Sequence, residues 1–195
     1  MIHHNDPKFL FVHLPKNAGS SVTKVLATHI GKDREELRPQ KYKFIYAKDI
    51  PSVLNGQQDD YFIFTVIRNP WERVVSYFHY LKQIRQPPHN LAKNVVFANW
   101  IMAGGFKGLQ TQMSQLSDSG FPSPSTHIDY VARMETLPED WPNICDRMGI
   151  ECEMMHDKKS KHEHYSSYYN NRTKDIVYEF YTADVNGLGY EFEGQ

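Results

Sequence analysis

The chain has 195 residues, a charged fraction of 23% and a formal net charge of −1, which suits one domain over 1–195 with a substantial core and argues against nucleic acid as a main partner. No apolar run reaches the length of a membrane helix, and residues 1–8 lack the apolar core of a signal peptide. Two cysteines, Cys145 and Cys152, are too few for a disulfide scaffold or a zinc ligand set, and His3-His4 and His162-x-His164 read as surface histidines, so no metal is expected.

In chain order, Phe9 to Leu14 is an apolar run that predicts a buried strand over 9–14. The loop Pro15-Lys16-Asn17-Ala18-Gly19-Ser20-Ser21 follows, opening a predicted helix over 19–30. A helix start presents unpaired N–H groups and the positive end of its dipole, so this loop reads as an anion cradle. Gly19 permits close approach of the backbone to a ligand, Lys16 adds a mobile cation, and Ser20 and Ser21 add hydroxyl donors. It is not the familiar nucleotide loop, in which Lys follows the second Gly beside a metal-holding hydroxyl. Lys16 precedes Gly19, so a nucleotide reacting without metal fits better.

A charged connection, Gly31 to Arg38, leads to strand-like Tyr42–Tyr46, a short helix over Ile50–Leu54 and a turn at Asn55-Gly56. A second apolar, β-branched run predicts a strand over 61–67 and ends in Arg68-Asn69-Pro70. Asn69 is a good N-cap and Pro70 suits the first helical position, predicting a helix over 70–86. Arg68 at the strand tip and Ser76 two turns into that helix could grip a second phosphate. A helix is predicted over Val95–Ala103, stopped by Gly104-Gly105. Residues 106–125, rich in Ser, Gly, Gln and Pro, read as a mobile surface loop that could serve as a lid or acceptor-binding segment. A third parallel strand is predicted over Ile128–Met134, a helix over Pro138–Met148, a His-rich loop over 153–167 and a final helix over Thr173–Tyr181. Strands alternating with helices predict an α/β fold, with a central parallel sheet flanked by helices on both faces.

Together the two phosphate segments resemble the sulfotransferase family. The first resembles its 5′-phosphosulfate loop, PK-x-[AG]-[GS]-[ST]-[ST]. The second resembles its 3′-phosphate motif, R-[DN]-P-x-x-R-x-x-S. Arg133-Met134-Glu135-Thr136-Leu137 with Asp140-Trp141 resembles the R-x-E-x-L…W segment of the carbohydrate-type, family 2 branch. Ser160-Lys161-His162, Tyr165, Tyr168, Tyr169 and the ending Val177…Tyr181…Asp184…Gly189-Tyr190-Glu191-Phe192 resemble that branch's last third.

The resemblance implies a three-layer P-loop-like domain that moves a sulfuryl group from 3′-phosphoadenosine 5′-phosphosulfate (PAPS) to a hydroxyl of a carbohydrate or other small acceptor. It implies that Lys16 meets charge on the leaving oxygen and that Pro15 to Ser21 hold the 5′-phosphate. Arg68 and Ser76 are then expected on the 3′-phosphate, and Ser160 and Tyr168 in a segment over the nucleotide. Arg133 and Glu135 are expected at the acceptor or in a loop-fixing salt bridge. Arg73 either helps the phosphate or pairs with a helix carboxylate or the sheet edge. The family places its base after the second strand, where Lys48-Asp49 resembles a Lys-Glu pair with a shorter acid. Asp49 is therefore the first candidate base, Lys48 a charge stabiliser, and His127 the second candidate. The plain alternative for Asp49 is a cap or surface ion pair, for His13 a structural hydrogen-bonded histidine, and for His79 a helix-surface residue. Without the membrane anchor of eukaryotic relatives, a cytoplasmic protein of bacterial type is expected. The competing readings are a non-catalytic nucleotide-binding module and an NTP-using P-loop kinase.

Overall fold

The alternation of apolar residues in the second strand sets the architecture. In β2 (Lys8–Val12), Phe9 and Phe11 enter one buried cluster, and Leu10 and Val12 enter another. Successive side chains of a strand point to opposite faces, so a run apolar at every position is a strand covered on both sides. The computed structural model describes residues 1–32, 45–84, 92, 94–118, 123–151, 153 and 163–194. The chain forms two compact units, Met1–Arg68 with Gln112–Asp157, and Asn69–Thr111 with Lys158–Gln195.

The first unit holds a four-stranded sheet in the order β1-β2-β3-β4, with β1 Ile2–Asn5, β3 Phe62–Ile67 and β4 Tyr130–Arg133. β2 runs parallel to β3 with Phe11 opposite Phe64, and β3 runs parallel to β4 with Thr65 opposite Val131. The sheet is mixed, not parallel throughout, because β1 pairs antiparallel with β2. Only Asp6 and Pro7, joined by a cis peptide, separate these two strands, and so short a link permits only antiparallel pairing. The polar run His3-His4-Asn5 hides β1 from a reading by hydrophobic pattern. Beyond the start of β4, the Asp129 carboxylate accepts from the Ile63 amide at 2.7 Å while the Asp129 amide donates to the Ile63 carbonyl at 2.8 Å.

Helix α1 (Gly19–Ile30) has the predicted bounds, and Gly31 ends it in the left-handed region at φ 67°, its amide donating to Thr28. Its Val22, Val25 and Leu26 pack with Phe11, Phe64 and, from α6 (Leu137–Met148), Trp141 and Ile144. On the other face, Leu10, Val12 and Ile63 pack with Ile45, Ala47, Ile50 and Leu54. The short α2 (Ile50–Val53) follows a single 3-10 turn, Ala47–Asp49. Of the expected strand Tyr42–Tyr46, only Ile45 and Tyr46 lie among the described residues; Tyr46 is extended, and neither belongs to a strand of the sheet.

The second unit is helical: α3 (Pro70–Gln83), α4 (Phe97–Met102), α7 (Asn171–Phe180) and α8 (Thr182–Leu188). Their core includes Trp71, Val74, Phe78, Trp100, Phe106, Val177 and Tyr181. Helix α3 stops at Gln83, ahead of the predicted end, because Ile84 is already extended at ψ 129°. The expected helix Thr173–Tyr181 is α7, but it is not the last: α8 follows Tyr181, whose buried hydroxyl donates to the Leu109 carbonyl at 2.6 Å.

The reading of 106–125 as a mobile surface loop is corrected over the described stretch 106–118. Phe106 and Leu109 are buried, a 3-10 turn spans Gly105–Gly108, and α5 (Met113–Leu116) buries Met113 and Leu116. Polar composition concealed a widely spaced apolar pattern. Likewise, Tyr165–Tyr168 forms a 3-10 turn with Tyr165 buried, at the end of the segment read as a loop.

Candidate functional site

The loop after β2 takes its shape from two residues in an uncommon conformation. Lys16 has φ 69° and Ala18 φ 52°, both left-handed, and neither is glycine. Alternation into the left-handed region turns successive amides toward one concave side, a backbone arrangement that binds anions. Ala18 then accepts from the Ser21 and Val22 amides and begins α1, whose first N–H groups have no intrahelical acceptor. The cradle and the helix dipole thus act at one place.

Gly19 also has little free space beside it. A Cβ there would fall 1.9 Å from the His13 ring, so the space is filled by this protein's own imidazole. His13 also stacks on Phe11, with centroids 5.8 Å apart.

Burial lowers the Lys16 ammonium to about 8, and the Arg68 guanidinium adds to the fall. Both effects disfavour a cation, and a bound anion would oppose them. Arg68 directly follows β3, is buried, and donates from Nη1 to the Lys16 carbonyl at 3.2 Å. The two cations therefore belong to one local structure in the first unit. No sequence motif announces the residue that joins them. Gln112 is fully buried, its Oε1 accepting from the Arg68 amide at 2.9 Å and from Asn17 Nδ2 at 2.5 Å. Its Nε2 donates to the Arg68 carbonyl at 2.8 Å. Asn17 Nδ2 also donates to Val66 O at 2.9 Å, so this side chain points into the protein, leaving its amide for the cradle.

Asp49 closes the Ala47–Asp49 turn, and its carboxylate accepts from the Tyr46 amide at 3.2 Å. Lys48 Nζ lies 5.4 Å from the centre of the Tyr46 ring. His127 lies before β4, its amide donating to Ser125 Oγ at 3.1 Å. Arg133 is the last residue of β4 and Glu135 is exposed two residues later. Ser160 lies outside the described residues, as does Cys152.

In the second unit, Asn69 caps α3 by accepting from the Trp71 amide at 3.1 Å. Its Nδ2 donates to the Glu191 carbonyl at 3.0 Å, and the Tyr165 hydroxyl accepts from the Glu193 amide at 2.7 Å. Ser76 is half-buried on the same helix. Arg73 takes the structural alternative: fully buried, it donates to Gln110 O at 2.7 Å and lies 4.0 Å from the buried Asp184 carboxylate. The Tyr168 hydroxyl lies 2.9 Å from His79 Nε2, so His79 is engaged with a neighbouring turn. A groove of about 410 Å³, lined by Trp71, Lys174, Tyr178, Tyr190 and Phe192 among others, contains none of the expected site residues.

The sulfotransferase family model matches residues 1–191. The chain belongs to the sulfotransferase family. The matching model is that of family 2, the branch its C-terminal signature resembles, and membership supports sulfuryl transfer in general terms. No curated protein and no solved structure matches the chain. Among the described residues, no helix is long and apolar enough to cross a membrane, and no group of three or more His, Cys, Asp or Glu could hold a metal ion. The family generally uses PAPS as donor. The left-handed cradle at Lys16 and Ala18, with two cations beside it, fits a dianionic phosphosulfate.

Proposed function

We propose that the chain transfers a sulfuryl group from PAPS to a hydroxyl of a carbohydrate or similar small acceptor, on a three-layer P-loop-like domain. The observation that carries this reading is the joining of Lys16 and Arg68 through one hydrogen bond beside an anion-binding loop. PAPS supplies the sulfuryl group and a good leaving phosphate. The rest is the work of this chain's residues. The loop from Pro15 to Ser21 holds the 5′-phosphate, through its amides from Asn17 onward and the Ser20 and Ser21 hydroxyls. Lys16 places its ammonium where negative charge grows on the leaving oxygen, in a setting partly screened from water that strengthens the interaction. Arg68 and, from its place in the motif, Ser76 bind the 3′-phosphate. Arg133 and Glu135 orient the acceptor, and Ser160 and Tyr168 cover the nucleotide.

The acceptor must lose a proton as the new bond forms. Asp49 is assigned this role, with Lys48 balancing its charge and His127 as the other candidate. The Asp49 hydrogen bond to the Tyr46 amide favours a second reading, a nucleotide-binding module without catalysis. Thermal shift without magnesium tests the shared part: adenosine 3′,5′-bisphosphate should raise the melting temperature and ADP should not. Transfer of labelled sulfate to a panel of hydroxylated acceptors then separates enzyme from module. No transfer across sugars and small alcohols would leave the module.

A further inference from the structure

The chain leaves the first unit after Arg68 and returns to it at Gln112. These two residues are hydrogen-bonded to each other twice. The carboxamide of Gln112 meets the peptide edge of Arg68 as one planar group on another, accepting from its amide at 2.9 Å and donating to its carbonyl at 2.8 Å. The same Oε1 accepts from Asn17 Nδ2, at the centre of the first loop. The paired backbone groups fix which end of the amide is oxygen. They also fix the residue type: a Glu lacks the donor, a Leu lacks both, and an Asn is one methylene shorter.

We propose that Gln112 is a positioning residue that couples the two phosphate-reading loops, so that recognition of each phosphate depends on the other loop. This rests on the nucleotide reading above. Several features support it. Gln112 and Asn17 are both completely buried, so the tie is formed away from water, where a lost partner is most costly. Gln112 is anchored by its own element, its carbonyl accepting from the Gln115 and Leu116 amides at the start of α5. That helix packs on the Ala47–Asp49 turn, so the same element reaches the segment assigned to the base. A phosphate site tolerates little error, since displacement by about 1 Å can cost a hundredfold in rate. A clasp between Asn17 and the Arg68 backbone fixes the spacing of Lys16 and Arg68 without touching the ligand.

The test uses the intact protein and three variants, Gln112→Leu, Gln112→Glu and Asn17→Ala. Calorimetry gives the affinity of each for adenosine 3′,5′-bisphosphate and for 5′-AMP, and circular dichroism checks folding. The wild type should prefer the bisphosphate. Gln112→Leu should lose about tenfold of that preference, the loss expected for one buried tie, and Gln112→Glu should fall between. Asn17→Ala is the sharper arm: a change in the 5′ loop should weaken selection for the 3′-phosphate. It also serves if Gln112→Leu does not fold. A residue that merely supports the fold would lower the melting temperature and leave the ratio unchanged. Folded variants with the wild-type ratio therefore overturn the coupling while the nucleotide reading stands. A wild type without preference overturns both.

Discussion

The Arg68 guanidinium donates to the carbonyl oxygen of Lys16, so the cation ending one strand grips the backbone that carries the other. Burial, with the nearby Arg68 charge adding to it, lowers Lys16 from 10.5 to about 8. Between these values the unfolded chain binds more protons than the folded one, so this residue's contribution makes stability rise with pH across that window. An anionic nucleotide should reverse the shift. At about pH 8.5, binding of adenosine 3′,5′-bisphosphate should take up a proton, and at about pH 6 it should not. Calorimetry in buffers of different ionisation enthalpy measures this, and Lys16→Met should abolish the uptake. Uptake unchanged in that variant would assign the proton to another group.

Replacing Lys16 by Ala should affect turnover far more than binding of the desulfated nucleotide. Its ammonium meets charge that develops only during transfer. The barrier should rise by about 3 kcal/mol or more. Single-turnover rates beside bisphosphate affinity show the split, and near-normal turnover would remove Lys16 from the chemistry.

Asp49→Asn keeps the shape of the side chain and its hydrogen bond with Tyr46 while removing the base. Turnover should fall by about a hundredfold or more with melting temperature and nucleotide affinity unchanged. Retained turnover with lower stability would assign the carboxylate to its turn and move the base to His127.

Arg73 and Asp184 are both completely buried. Removing either takes from the other a buried, oppositely charged neighbour, so Arg73→Ala and Asp184→Ala should each cost about 3–5 kcal/mol of stability. The paired change Arg73→Met with Asp184→Leu should recover much of it. Urea unfolding of the set gives the coupling, and a small loss in either single variant would argue that the pair is not structural.

Gly19→Ala brings a Cβ onto the His13 ring. Crowding at such a site should cost about 1–3 kcal/mol. His13→Ala in the same protein should relieve it. If the double variant is no more stable than Gly19→Ala alone, the ring is not the obstacle.

Sequence by itself determined the local features of this protein. The strand–loop–helix unit from Phe9 to Ile30 was legible because unbroken apolar character, a glycine at the helix start and a glycine at its end are short-range signals. The Arg68-Asn69-Pro70 turn was legible because capping depends on near neighbours. Tertiary structure alone decided what stands between those features. The β1 strand exists because the Asp6-Pro7 turn folds a polar segment against β2, not because its own pattern is strand-like. The space beside Gly19 belongs to His13, and Arg73 belongs to Asp184, because packing brings each partner there. Gln112 is the clearest case. Its partners lie 44 and 95 residues away in the chain, and a hydrogen bond over such separations leaves no periodicity, no spacing and no local composition from which it could be read.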